Sequence, residues 1–204
     1  MLHELINPVY LNERVLLGIY KKFKKAKPYP HFVLKNFFIE KKFSKLRRAI
    51  LNEKFEKIDR DLFSLSHTMD LALSSNQIIN KFYSRVSSKE FIFMMRRLTG
   101  ENLSEKIDMQ AHIMKNGDYL LFHDDELEGR KIAYVIYLSQ GFRPKDGGRL
   151  KLYDAKNPLK PVKSIVPLLN SFVCFKVSKK SLHAVEEVKS NRQRLTVGGW
   201  FYGN

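Results

Sequence analysis

The chain has 204 residues, 44% of them apolar and 12% aromatic, which is enough for one complete hydrophobic core and hardly enough for two. Its 37 Lys and Arg outweigh 21 Asp and Glu for a net charge of +16, but the apolar fraction excludes a disordered polyelectrolyte, a collagen-like chain and a low-complexity polymer. A single cysteine, Cys174, excludes a disulfide framework and a cysteine-rich zinc site, so stability has to come from packing and a reducing, cytoplasmic setting is expected.

The opening MLHELINPVYLNERVLLGIYKKF is interrupted by acids and polar residues, and no stretch approaches the ~18–20 uninterrupted apolar residues that span a bilayer. The chain is read as soluble and unexported. Helical spacing runs through VYLNERVLLGIYKKF, with Val15, Leu16, Ile19 and Tyr20 near one face, until Pro28 and Pro30 stop it. HFVLKNFF then alternates as a strand with Phe32, Leu34 and Phe37 inward, and IEKKFSKLRRAILNE returns to helix through Phe43, Leu46, Ile50 and Leu51. A further helix is signalled by Ser87 as a cap with Glu90 three residues on; it runs through FIFMMRRL and stops near Gly100.

This half also carries most of the charge. Residues 1–60 hold fifteen Lys or Arg against six Asp or Glu, concentrated in KKFKKAK and KKFSKLRR. Such blocks draw polyanions by counterion release, RNA or a ribosome being the intracellular candidates. The plainer reading, solvated lysine faces in a chain rich in Lys, Asn and Ile, weighs more, because charge patterning governs solubility rather than choice of partner.

Beyond residue 105 the grammar changes to short apolar runs between turn residues: KIDMQAHIM, DYLLFH, IAYVIYL, RLKLYD, VKSIVPL, SFVCFKV, LHAVEEV and RLTVGGWFYG. Asn116-Gly117 reads as a type I′ hairpin turn. The expected fold is α+β, a double-stranded β-helix or jelly roll with N-terminal helices buttressing one of its sheets.

Chemistry concentrates at His123-Asp124-Asp125, at the end of DYLLFH. Side chains i and i+2 of an extended chain share a face, so His123 and Asp125 can present two ligands to one divalent metal. His183, 58 residues beyond Asp125, is the candidate third ligand, completing the two-histidine, one-carboxylate set that leaves positions open on non-haem Fe(II). Arg194 follows 11 residues later with Thr196 on the same strand face, a guanidinium and a hydroxyl able to hold the far carboxylate of a chelating organic acid. Taken singly, each residue has a structural reading: a bonded strand histidine, a turn of acids, and Tyr137 as core packing.

HDDELEGR, IAYVIYLS, GGRLKLY, NSFVCF, SLHAV and RLTVGGWFYG, in that order, resemble the iron- and 2-oxoglutarate-dependent prolyl hydroxylases, in particular the branch that hydroxylates a ribosomal small-subunit protein. The resemblance covers residues 106–203, and PYPHFVLKNFF resembles that group's N-terminal strand. It implies His123, Asp125 and His183 as iron ligands. It further implies Arg194 as partner of the far carboxylate of 2-oxoglutarate, Tyr137 as a second contact through its hydroxyl, and Thr196 as an assisting residue. Fe(II), 2-oxoglutarate and O2 are the implied cofactor and co-substrates, with ascorbate (vitamin C) a further candidate. The implied reaction hydroxylates a prolyl residue of a protein while 2-oxoglutarate is decarboxylated to succinate and CO2.

Residues 1–204 are expected to form a single catalytic domain, with 1–105 a mainly helical buttress carrying an edge strand and 106–204 the jelly-roll core with the iron site. Eukaryotic members of the branch continue into a second, degenerate barrel, whereas this chain ends just after GWFYG, so the catalytic domain alone is expected. Other readings are the same chemistry on a free amino acid or other small substrate, a metal-dependent hydrolase built on HDD, and a non-catalytic basic RNA- or ribosome-binding module. Arg192 shares the parity of Arg194, and only the resemblance favours the latter. His3, His31, His67 and His112 lack a partner carboxylate at a telling spacing and are read as structural or exposed, although the strand of His112 precedes the turn leading to His123. Cys174 reads as a buried small hydrophobe and Trp200 and Phe201 as packing for the last strand, while GFRPKDGG is either a lid or a plain connection.

Overall fold

The computed structural model describes residues 2–203. Asn12 starts the first helix by accepting from the amides of Arg14 and Val15, and α1 (Glu13–Lys25) buries Leu16 and Phe23. Its lysine-rich last turn suits the negative end of the helix dipole. β1 (His31–Lys35) and α2 (Glu40–Leu51) follow, with Phe43, Leu46 and Ile50 buried and Leu51 half-buried. Phe37 is buried as expected, but just past the strand.

Residues 54–86, for which no element was expected, form the hairpin β2 (Glu56–Arg60) and β3 (Phe63–His67) and then α3 (Gln77–Val86). The next helix, α4 (Lys89–Thr99), ends on Gly100 in the left-handed conformation that glycine tolerates best. Its cap is Ser88, which accepts from the Phe91 amide; Ser87 instead closes α3, so the expected cap is one residue out.

KIDMQAHIM splits into β4 (Leu103–Ile107) and β5 (Gln110–Met114). The remaining strands are β6 (Tyr119–His123), β7 (Arg130–Tyr137), β8 (Leu150–Asp154), β9 (Asn157–Ile165), β10 (Ser171–Lys176), β11 (His183–Val185) and β12 (Arg194–Gly203). They curl into an antiparallel half-barrel in the order β1-β10-β7-β12-β5-β3-β6-β11-β8-β9, with β2 on β3 and β4 on β12. This is the expected jelly roll, with helices against one sheet. Asn116-Gly117 is not a type I′ hairpin turn, because β5 and β6 do not pair and of the two only Gly117 has positive φ (+86°). There the chain crosses from one sheet to the other, with β3 pairing to both.

Strand alternation makes the larger sheet two-faced. Leu195, Val197 and Phe201 of β12, Tyr134 and Ile136 of β7 and Phe172 and Cys174 of β10 join the core beneath the helices. Phe172 is its centre, stacked on Phe37 at 4.6 Å and edge-on to Phe91 of α4 at 6.3 Å. The residues between them, Arg194, Thr196, Gly198 and Trp200, line a cavity on the other face. A Cβ at Gly199 would sit 2.0 Å from the Asp108 carbonyl oxygen, so the β4–β5 connection can press onto β12 only where a side chain is missing.

Candidate active site

β6 and β11 are antiparallel neighbours with His123 directly opposite His183, and the two imidazole centroids lie 4.0 Å apart. Asp125 lies beyond the end of β6 with φ +63°, a conformation that Asp adopts more readily than most residues. Its Oδ1 is 3.4 Å from His123 Nε2 and its Oδ2 is 3.4 Å from His183 Nε2. One ligand atom from each of the three falls within 4.8 Å of the others, a spacing that could hold a metal ion.

Hydrogen bonds aim the ligand atoms. His123 Nδ1 donates to the Leu121 carbonyl and His183 Nδ1 to the Ser181 carbonyl, both at 2.8 Å, which leaves each Nε2 lone pair free and pointing at the third member. Ser181 Oγ donates to the Asp124 carbonyl at 2.7 Å and so ties the two ligand-bearing segments together. Burial pushes the Asp125 carboxyl up, but His183, His123 and the Trp200 indole outweigh it and hold the group below the ordinary range. Burial, then the neighbouring His183, pushes His123 down, which favours the neutral imidazole that a metal requires.

The triad opens on a cavity of about 390 Å³, whose wall includes Ile58, Phe63, Leu65 and Leu120. The cavity also contains Arg194 and Thr196. Arg194 is 4% exposed and pairs with no carboxylate among the described residues. Its Nε donates to the Gly148 carbonyl at 2.9 Å, and Nη1 reaches only the Met114 thioether, a weak acceptor, at 3.5 Å. Tyr137 is fully buried against it, with the guanidinium 5.3 Å from the ring centre and the hydroxyl lacking a hydrogen-bond partner. A buried cation without a counter-ion beside an unsatisfied hydroxyl is costly unless an anion completes it. The donor set therefore fits Fe(II) at one place and an organic anion at the other.

Arg192 is placed differently. It is outside the cavity with its Nε 3.5 Å from Asp146 Oδ2, and Asp146 also accepts from the Arg143 amide, so GFRPKDGG is pinned down. Residues 141–148 do not line the cavity; the loop's contribution is the Gly148 carbonyl that holds Arg194. Cys174 is buried, as expected.

Three cavity residues carried no such expectation. Trp200, read as packing, lines the cavity beneath Arg130, whose guanidinium lies 3.4 Å from the ring centre. His67 and His112 also face the cavity. Trp200 and His112 share strand parity with Thr196 on β12 or pair with it on β5, the one signal that could have located them.

The pattern of the 2OG-Fe(II) oxygenase superfamily matches residues 109–202. A Xenopus laevis prolyl 3-hydroxylase OGFOD1 is 37% identical over 86% of this chain and 35% of its own length. The Ostreococcus tauri prolyl 3,4-dihydroxylase OGFOD1 is 32% identical over 86% of the chain and 38% of its own. The chain thus spans about a third of the length of these curated relatives. Among solved structures, a Trichoplax adhaerens prolyl hydroxylase bound to a hypoxia inducible factor peptide superposes with TM-score 0.77 at 16% identity, covering 96% of this chain and 92% of that one. A Pseudomonas putida prolyl-4-hydroxylase superposes with TM-score 0.74 at 16% identity, covering 93% of this chain and 99% of that one, a likeness of fold. Sequence pattern, curated relatives and fold agree, and the 2OG-Fe(II) oxygenase superfamily is what residues 109–202 of the chain match.

Proposed function

We propose that the chain works as a single catalytic domain that hydroxylates a prolyl residue of a protein, using Fe(II), O2 and 2-oxoglutarate. The observation that carries this reading is one cavity holding both the His123, Asp125 and His183 cluster and the unpaired buried guanidinium of Arg194. Iron and 2-oxoglutarate, when bound, supply the oxidation of an unactivated C–H bond, with CO2 and succinate as the keto acid's products.

The protein's own residues bind, orient and exclude water. His123, Asp125 and His183 would hold the metal, and the carbonyl hydrogen bonds of the two imidazoles keep both in the ligating tautomer. Arg194 takes the far carboxylate of 2-oxoglutarate as a charge-assisted pair, with Tyr137 and Thr196 supplying hydroxyl contacts beside it. The apolar wall from Ile58 to Leu120 keeps water from the reacting end and suits a pyrrolidine ring.

The names of the curated relatives favour carbon 3 of the ring. A ribosomal protein is the substrate we favour, approached through the lysine-rich faces of α1 and α2, with cytoplasmic placement and ascorbate as the reductant that keeps iron ferrous. No described helix is long and apolar enough to cross a membrane.

The test is anaerobic addition of Fe(II) and 2-oxoglutarate. The expected result is a weak visible charge-transfer band in wild type that is lost in His183→Ala, with succinate formed once O2 is admitted. Mass spectrometry of ribosomal proteins from cells with and without the gene then looks for an added oxygen on proline. A band with succinate formation but no such modification redirects the substrate to a free amino acid or other small molecule; no band leaves the basic binding module.

A further inference from the structure

Four strands place one residue each in a row across the larger sheet. Tyr137 on β7 stands opposite Thr196 on β12, Thr196 opposite His112 on β5, and His112 opposite His67 on β3. Directly opposed residues in antiparallel ladders have Cβ atoms about 4.5–5.5 Å apart, so the row is continuous. Thr196, His112 and His67 face the cavity that contains Arg194.

The imidazole of His112 makes no hydrogen bond to any described residue, yet it is half-buried in a strand centre where an apolar side chain would pack at lower cost. Met114, its neighbour on the same face of β5, is already the contact of Arg194 Nη1. β5 therefore flanks the guanidinium on one side as β7 flanks it with Tyr137 on the other. A carboxylate seated on Arg194 offers about four lone-pair positions to the donors around it, and Arg194 Nε is already committed to the Gly148 carbonyl. Two polar side chains of β5 line the cavity, and His112, opposite Thr196, stands nearer Arg194 in the register than Gln110, opposite Gly198.

We propose that His112 is a positioning residue for the co-substrate, donating a hydrogen bond to the far carboxylate of 2-oxoglutarate and favouring a dicarboxylic keto acid over a monocarboxylic one. This rests on the oxygenase reading above. A neutral imidazole suits the role, because it adds a donor without setting a second full cation against Arg194. Burial, then Arg194 and His67, hold His112 down to about 4, so it is neutral near pH 7 in the unliganded cavity. His67 stands behind it and completes the row.

The experiment is an anaerobic titration of Fe(II)-loaded protein, read by the visible band, with 2-oxoglutarate and with pyruvate, which has the same keto acid but no far carboxylate. Wild type, His112→Leu and His112→Gln are compared. Loss of one hydrogen bond to a charged group predicts that His112→Leu weakens 2-oxoglutarate about tenfold or more, while pyruvate stays within about twofold of wild type. His112→Gln, which keeps a donor, recovers most of the 2-oxoglutarate affinity. Unchanged 2-oxoglutarate binding in His112→Leu, or equal weakening of both acids, overturns the role and leaves the oxygenase reading intact. No band in wild type with either acid overturns both.

Discussion

The guanidinium carbon of Arg194 lies 5.3 Å from the ring centre of Tyr137, both side chains fully enclosed, and neither has a carboxylate to complete it among the described residues. Burial without a counter-ion disfavours the charge on Arg194 and pushes the Tyr137 phenol up. The pair is costly in the free protein and becomes favourable when an anion arrives, which is the signature of a binding site rather than of core packing.

Arg194→Leu therefore separates binding from stability. The variant is expected to lose at least about a hundredfold in 2-oxoglutarate affinity, as for a buried charge pair, while its ligand-free melting temperature stays level or rises. Anaerobic titration and a thermal melt of the metal-loaded protein check both; a variant that melts early and still binds 2-oxoglutarate would falsify the assignment.

Metal binding should be readable without turnover. A divalent ion present at a hundred times its dissociation constant adds about 2.7 kcal/mol, or roughly 5–10 °C in melting temperature for a chain of this size. The shift should appear in wild type, vanish with a chelator and be absent in His183→Ala. An equal shift in that variant places the ion elsewhere.

Stability of the metal-free protein should fall in mild acid. His112 ordinarily titrates at 6.5 but is held down to about 4 in the native cavity, so below pH 6.5 the unfolded chain takes up a proton that the native state refuses. The contribution is complete above about pH 6.5 and is lost towards pH 4, about 3 kcal/mol in all. Urea unfolding at pH 7 and pH 5 measures it. His112→Gln should flatten the slope, leaving the part due to His123, which burial also depresses; an identical slope in the two proteins rules out His112 as its source.

Phe172 joins helices to sheet, meeting Phe37, Phe32, Phe38, Phe91 and Tyr134 in one aromatic cluster. Phe172→Ala should cost about 3–5 kcal/mol, since the surrounding rings collapse only partly into the space. Chemical denaturation checks this, and a loss below about 1 kcal/mol would mean that the cluster repacks.

The amino-acid order alone determined the strands after residue 105, the helices of the first half that show clear apolar periodicity, and the residue types able to bind a metal and an anion. Those properties are local: alternation by two or by three to four, a proline stop, a glycine end, a histidine two residues before an acid. Three-dimensional pairing decided the rest. His123 meets His183 because β6 and β11 are neighbours across the roll, a pairing between residues 60 positions apart that no short window contains. Asp125 joins them through a left-handed backbone past the end of the strand, not through the strand alternation that suggested it. The hairpin of β2 and β3 was illegible because EKIDR and FSLSH are too polar for a clear period, and it forms because β3 completes the bridge between the sheets. Arg192 and Arg194 have equal parity in the chain, and only the loop that draws Arg192 out to Asp146 leaves Arg194 in the cavity. His112 and Trp200 became visible as cavity residues only once β5 and β12 lay side by side, because which face of a strand meets the cavity depends on its neighbours.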